Sequence, residues 1–103
     1  MESERPMMLE AMGKPEGCKL LRISAVIGDP PGRDSRIERI SVRGDFFAVP
    51  EEAFEVLEKT LSGTKVRDLA EAFETQARNL GLKTLGISGQ ALQTLIEGQL
   101  DGR

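Results

Sequence analysis

Lysine, arginine, aspartate, glutamate and one cysteine carry whatever chemistry this sequence offers, because its 103 residues hold no histidine, tyrosine or tryptophan. Without histidine there is no Ser-His-Asp or Cys-His relay and no imidazole-ligated metal site. Four places remain. Gly17-Cys18-Lys19 sets a flexible residue before a thiol and an ammonium, which could approach a phosphate or carboxylate. A Walker-type loop needs two glycines four residues apart, then Lys and Ser/Thr, and this stretch has neither. Lys19 therefore reads first as a solvated strand-end charge, and Cys18 as a small half-buried residue. Gly44-Asp45-Phe46-Phe47 reads as a sharp exit from a sheet: glycine permits positive φ and Asp can bond nearby amides. Phe46 continues the parity of Ile40 and Val42 and is expected in the core with Ile23 and Leu57. Phe47 points the other way and is expected to be partly exposed, first as an anchor of the strand–helix junction and second as a partner contact.

The remaining two places are runs of charge. Glu51, Glu52, Glu55 and Glu58 could act as paired acids or ligate a divalent ion. Their spacing is that of a solvated helix face, with Glu55 reaching Lys59 at i,i+4. Arg33, Arg36, Arg39 and Arg43 form a basic edge able to steer an acidic partner, or an ordinary polar face.

These residues need elements to hold them. Apolar alternation predicts strands over 7–12, 18–27 and 36–43. In the second, Leu21, Ile23, Ala25 and Ile27 share the core face, while Leu20, Arg22, Ser24 and Val26 share the other. In the third, Ile40 and Val42 face in, and Ile37 falls on the wrong parity, which points to a bulge or an end residue. Gly13–Gly17 and the Pro30-Pro31 segment are turns. Beyond residue 50 the period becomes helical. Pro50 starts a first helix carried by Phe54, Leu57 and Leu61, with Ala53 and Val56 beside them. Thr64 is the expected cap of a second helix along Val66, Leu69, Ala70, Phe73, Ala77 and Leu80, ended by Gly81. Ser88 caps a third along Leu92, Leu95, Ile96 and Leu100, whose last turn Gly98 should fray. Strands first and helices after mean an α+β fold: a three-stranded antiparallel meander followed by two or three helices packed on one face. The expected organisation is a flexible stub over 1–6, one domain over 7–100 and a tail over 101–103.

The balance of 14 Lys+Arg against 17 Asp+Glu gives a net charge of −3. That disfavours nucleic acid as the main partner, since phosphate binding needs a basic surface. No apolar run approaches the ~20 residues of a membrane span. Met1-Glu2-Ser3-Glu4-Arg5-Pro6 lacks the basic and apolar regions of a signal peptide. With a single cysteine, a cytoplasmic location is expected. Composition argues against a self-sufficient enzyme.

The order of motifs resembles a known small domain. Gly17-Cys18-Lys19-Leu20-Leu21-Arg22-Ile23 is similar to its Gly-Lys-Leu-x-Arg-Val stretch. Then come Ile37-Glu38-Arg39-Ile40-Ser41-Val42-Arg43-Gly44-Asp45-Phe46-Phe47, Pro50-Glu51-Glu52, Leu57-Glu58 and Leu61-Ser62-Gly63. This resembles the accessory domain of lipoate–protein ligases, which is C-terminal in many bacterial ligases and a separate small subunit in some prokaryotes. The likeness runs from about Met7 to Leu100, and the Gly-Asp-Phe-Phe-x-x-Pro-Glu-Glu core is its specific part. One departure is Cys18, where the family usually has glycine. The resemblance implies a sheet like that of sulfur-acceptor and iron–sulfur scaffold proteins. It implies no catalytic residues and no cofactor on this chain, with ATP, Mg and lipoate on a large catalytic subunit in a heterodimer. The accessory domain serves lipoyl-AMP formation more than transfer to the acceptor lysine. Gly17, Lys19, Arg22, Gly44, Asp45 and Phe47 become the partner-contact or active-site lid residues. The competing readings are a sulfur acceptor using an exposed Cys18 thiol and an unrelated protein-binding adaptor.

Overall fold

Alternating apolar residues build an antiparallel sheet of β1 (Met7–Gly13), β2 (Leu21–Ile27) and β3 (Ile37–Gly44), in the order β1-β2-β3. The structure is a computed structural model that describes residues 7–101, so the expected N-terminal stub lies outside the described residues. Leu9, Ala11, Leu21, Ile23, Ala25, Ile27, Ile40 and Val42 all point to the buried side. Ile37 joins them because the β2–β3 register slips at Val26/Ile27, leaving Glu38 unpaired between Arg39 and Ile37. Of the two readings its parity allows, a bulge or an end residue, the register shows the bulge. β2 begins three residues later than alternation predicts. The Cys18 amide donates to the Pro15 carbonyl and the Lys19 amide to Gly86, so neither joins the ladder.

Three helices follow: α1 (Glu51–Thr60), α2 (Leu69–Asn79) and α3 (Gly89–Asp101). The fold is α+β, as expected. α3 packs on β1, α1 packs on β3, and α2 bridges α1 and α3. Leu57, Leu61, Leu69, Phe73, Leu92 and Ile96 are buried against the inward sheet residues. Pro50 caps α1 and Glu51-Glu52 follow at its positive end, where carboxylates are favoured. Ser88 Oγ accepts the Ala91 amide at 3.1 Å, the expected cap of α3. Gly98 does not end that helix, which continues to Asp101 and so into the expected tail. On that last turn Asp101 accepts from Arg33 at 2.7 Å, and Glu97 lies 3.5 Å from the same guanidinium. Thr64 is not the cap of the second helix. Its carbonyl accepts the Ile37 amide, and a 3-10 turn over Val66–Asp68 precedes α2.

The free edge of β3 is covered rather than left open, which is how natural sheets avoid pairing with other chains. The Ile37 carbonyl accepts the Gly63 amide, the Glu38 carbonyl accepts Ser62 Oγ, and the Val42 amide donates to Glu58 Oε2 at 2.8 Å. Glu58 is therefore not part of a plain solvated face. Burial pushes its carboxyl above the ordinary carboxylate range; the Val42 amide and the Arg43 charge pull it partly back. A raised folded-state value means the folded chain holds its proton to higher pH than the unfolded chain. The related stability is fully present at low pH and declines as pH rises through the folded value. Glu58→Gln keeps an acceptor for Val42 and removes the charge. Thermal melts should show its standing against wild type improving from about pH 4 to about pH 7. A difference constant across that window would reject this account.

Candidate functional site

Two adjacent loops and a small ribbon meet at the end of the sheet where β1 and β3 finish and β2 starts. Pro15-Glu16-Gly17-Cys18 forms a turn closed by a 2.9 Å bond from the Cys18 amide to the Pro15 carbonyl. Gly17 adopts φ +78 there, the position where a type II turn wants glycine. Its exit is tied down where the Lys19 amide donates to the Gly86 carbonyl at 2.9 Å. Gly86 is wedged in place: a Cβ on it would lie 2.6 Å from Lys19 Cγ and 3.5 Å from Phe46 Cα. The Lys19 stem thus lies across Gly86 with the residue exposed.

Gly44 meets the same turn from the other side. A Cβ there would lie 2.2 Å from the Leu20 carbonyl oxygen, and the Asp45 amide donates to that same oxygen at 3.2 Å. Only glycine lets β3 turn off the sheet so close to β2. The turn also resets the parity beyond it, which corrects the expectation for Phe46. Phe46 is half-buried, its ring 5.1 Å from that of Phe54, which in turn stands 6.5 Å from Phe73. The Gly44-Asp45 kink turns Phe46 onto α1 instead of the sheet core.

The sequence reading misses the ribbon. β4 (Phe47–Val49) pairs antiparallel with β5 (Lys83–Leu85), with Phe47 opposite Leu85 and Val49 opposite Lys83. The ribbon's outer side therefore carries Phe47, Val49 and Leu85, exposed by 66%, 64% and 67%. Ala48 packs inward against the core. Gly17, Lys19, Gly44, Asp45 and Phe47 are brought to one end of the molecule. Arg22 stands just inside the sheet on its outer face, opposite Met12 and Arg43. Val49 and Leu85 are new members of the cluster.

Chemically this end offers the ammoniums of Lys19 and Lys83, the carboxylates of Glu16 and Asp45, and a ribbon with exposed Phe47, Val49 and Leu85, but no nucleophile–base pair. Cys18 is half-buried and packs against the core, whereas a sulfur acceptor needs an exposed thiol. Among the described residues no group of three His, Cys, Asp or Glu side chains could hold a metal. No helix among them is long and apolar enough to cross a membrane.

No family model matches the sequence, and no match is found among curated proteins. Among solved structures the fold is similar to a chain from an archaeal lipoylation system of Thermoplasma acidophilum, a bi-partite lipoate protein ligase and its E2 lipoyl domain. The TM-score is 0.66 at 24% identity, covering 89% of this chain and 97% of that chain. The two chains share a fold along nearly the whole of the neighbour.

Proposed function

We propose that this chain is the non-catalytic accessory subunit of a two-chain lipoate–protein ligase. It would be needed for ATP-dependent formation of lipoyl-AMP by the large subunit, before the lipoyl group passes to an acceptor lysine. One observation carries the reading: the neighbour covered over 97% of its length comes from a bi-partite lipoate protein ligase system. The ligase-like motif order from Gly17 through Ser62-Gly63 points the same way from the sequence alone.

The physics of adenylation supports such a role for a chain without catalytic side chains. Charge develops on phosphate and carboxylate oxygens, and donors held in a site closed to water stabilise it most. ATP, Mg and lipoate are placed on the large subunit in this reading. The sheet-end cluster is the closing element, with Lys19 and the Gly17 turn reaching inward and the Phe47 ribbon seating against the partner.

Absence of tryptophan and tyrosine makes association simple to follow. The isolated chain should absorb almost nothing at 280 nm, so any tryptophan signal belongs to the partner. Titrating this chain into a large subunit that carries tryptophan, native or introduced, should change that emission and saturate at micromolar concentration. Gel filtration of the mixture should give one heterodimer peak. A flat titration with two separate peaks would reject the reading.

A further inference from the structure

The four arginines of β3 and its preceding loop divide into two kinds. Arg33 is held by Asp101 and Glu97, and Arg36 donates to the Gly63 carbonyl at 2.6 Å. Arg39 and Arg43 stand on the outer sheet face, and among the described residues neither they nor Arg22 lies within ion-pair distance of a carboxylate. Arg22 and Arg43 are also directly opposed in the β2–β3 register. Like charges at opposed positions cost an antiparallel pair stability. The core gains nothing from them, because the buried residues of both strands point the other way.

The same face carries a second, apolar column. Met8 and Met12 on β1 are exposed by 78% and 61%. The register sets Met12, Arg22 and Arg43 in one row, and Met8, Val26 and Arg39 in another. Each column is about 13 Å long at ~3.3 Å per residue, and the columns lie roughly 10 Å apart across two strand spacings. Helix α1 walls the face along β3, leaving an open groove against Lys59 and Ser62. Four carboxylates share the groove: Glu10 between the methionines, Glu38 at the bulge of β3, and Glu55 and Glu58 on the wall, with Glu58 turned to the Val42 amide.

We propose that the outer face of β1-β2-β3 docks an amphipathic helix of a partner protein, acidic along one edge and apolar along the other. A length of 13 Å matches about nine residues of helix, enough for carboxylates at i, i+4 and i+7 to meet the arginine side. The adaptable methionines would take the apolar edge. A nucleic acid has no use for a methionine column, and the chain's net charge of −3 opposes one.

The identity of the partner, the large subunit, rests on the accessory-subunit reading. The test measures binding of the large subunit to wild type, Arg22→Glu, Met8→Ser/Met12→Ser and the control Arg78→Glu, with a thermal melt of each. Arg22→Glu sets a carboxylate opposite Arg43, so its melting temperature should hold or rise. Its binding should fall about 10-fold or more, mainly through slower association, and the gap should narrow at high salt. The methionine pair should weaken binding about 10-fold at every salt concentration, and Arg78→Glu should bind as wild type. Wild-type binding by Arg22→Glu would overturn the docking surface and leave the accessory-subunit reading standing. No binding by the wild-type chain would overturn both. Displacement of the large subunit by a single-stranded oligonucleotide, lost in Arg22→Glu, would make the occupant a phosphate chain and overturn the acidic helix.

Discussion

Mixed with its large subunit, this chain should switch on pyrophosphate release from ATP and lipoate by about 100-fold or more over either chain alone. That is the scale of removing one preorganised donor from developing charge, 10²–10³. When preformed lipoyl-AMP is supplied, the large subunit alone should modify its acceptor lysine at a rate this chain barely changes. The two steps ask for opposite things. Adenylation gains from a closed, dry site, while transfer must admit a bulky protein acceptor. Lys19→Met separates the ammonium from its stem, which packs across Gly86 and is largely preserved by methionine. That variant should slow pyrophosphate release about 10-fold and leave transfer from lipoyl-AMP unchanged. Equal first-step rates would return Lys19 to a solvated strand-end charge. Equal pyrophosphate release with and without this chain would end the accessory-subunit reading.

How much of this was readable from residues alone depends on how local the cause is. The β2 face is legible because Leu21, Ile23, Ala25 and Ile27 repeat every second residue, and a one-residue slip would expose all of them. An irregularity is legible from one misplaced residue, Ile37, but a bulge and a strand end look alike there until the β2–β3 register is seen. The kink at Gly44-Asp45 is legible as a turn, yet its consequence for Phe46 is not, because that follows from the Leu20 carbonyl lying beside Gly44. The ribbon is the clearest gap. Lys83-Thr84-Leu85 is three residues long, too short for any period, and it becomes a strand only by pairing with Phe47-Ala48-Val49 across more than thirty residues of chain. Glu58 is a similar case: its spacing matches its solvated neighbours, and only the docking of α1 on β3 turns it toward the Val42 amide. The site residues Gly17, Lys19, Gly44, Asp45 and Phe47 were legible as motifs. Their convergence at one sheet end, and the membership of Val49 and Leu85, belong to tertiary structure.

The rings of Phe46, Phe54 and Phe73, tilted and edge-on to one another, connect that sheet end to the helix layer, and they should respond very differently to truncation. Phe73 is 1% exposed and meets Phe54 edge-on at 6.5 Å. Phe73→Ala should cost about 3–5 kcal/mol, because the site is walled by the sheet, α1 and α3 and cannot collapse freely. For a domain near this size that is a large share of ~5–15 kcal/mol total stability, and the melting temperature should fall by roughly 12 °C or more. Phe46 is half-buried and touches the core from outside, so Phe46→Ala should cost about half as much. Its larger effect should be on the site. Without the Phe46–Phe54 contact, the 44–47 loop loses its anchor on α1 while the β1-β2-β3 core stays intact. At a temperature where both wild type and Phe46→Ala are folded by circular dichroism, the variant should bind the large subunit more weakly. Phe73→Ala, compared at a lower temperature where it too is folded, should bind nearly as wild type. Should Phe46→Ala melt as low as Phe73→Ala, the half-buried junction drawn here is wrong. Should it melt high and bind normally, the 44–47 loop takes no part in docking.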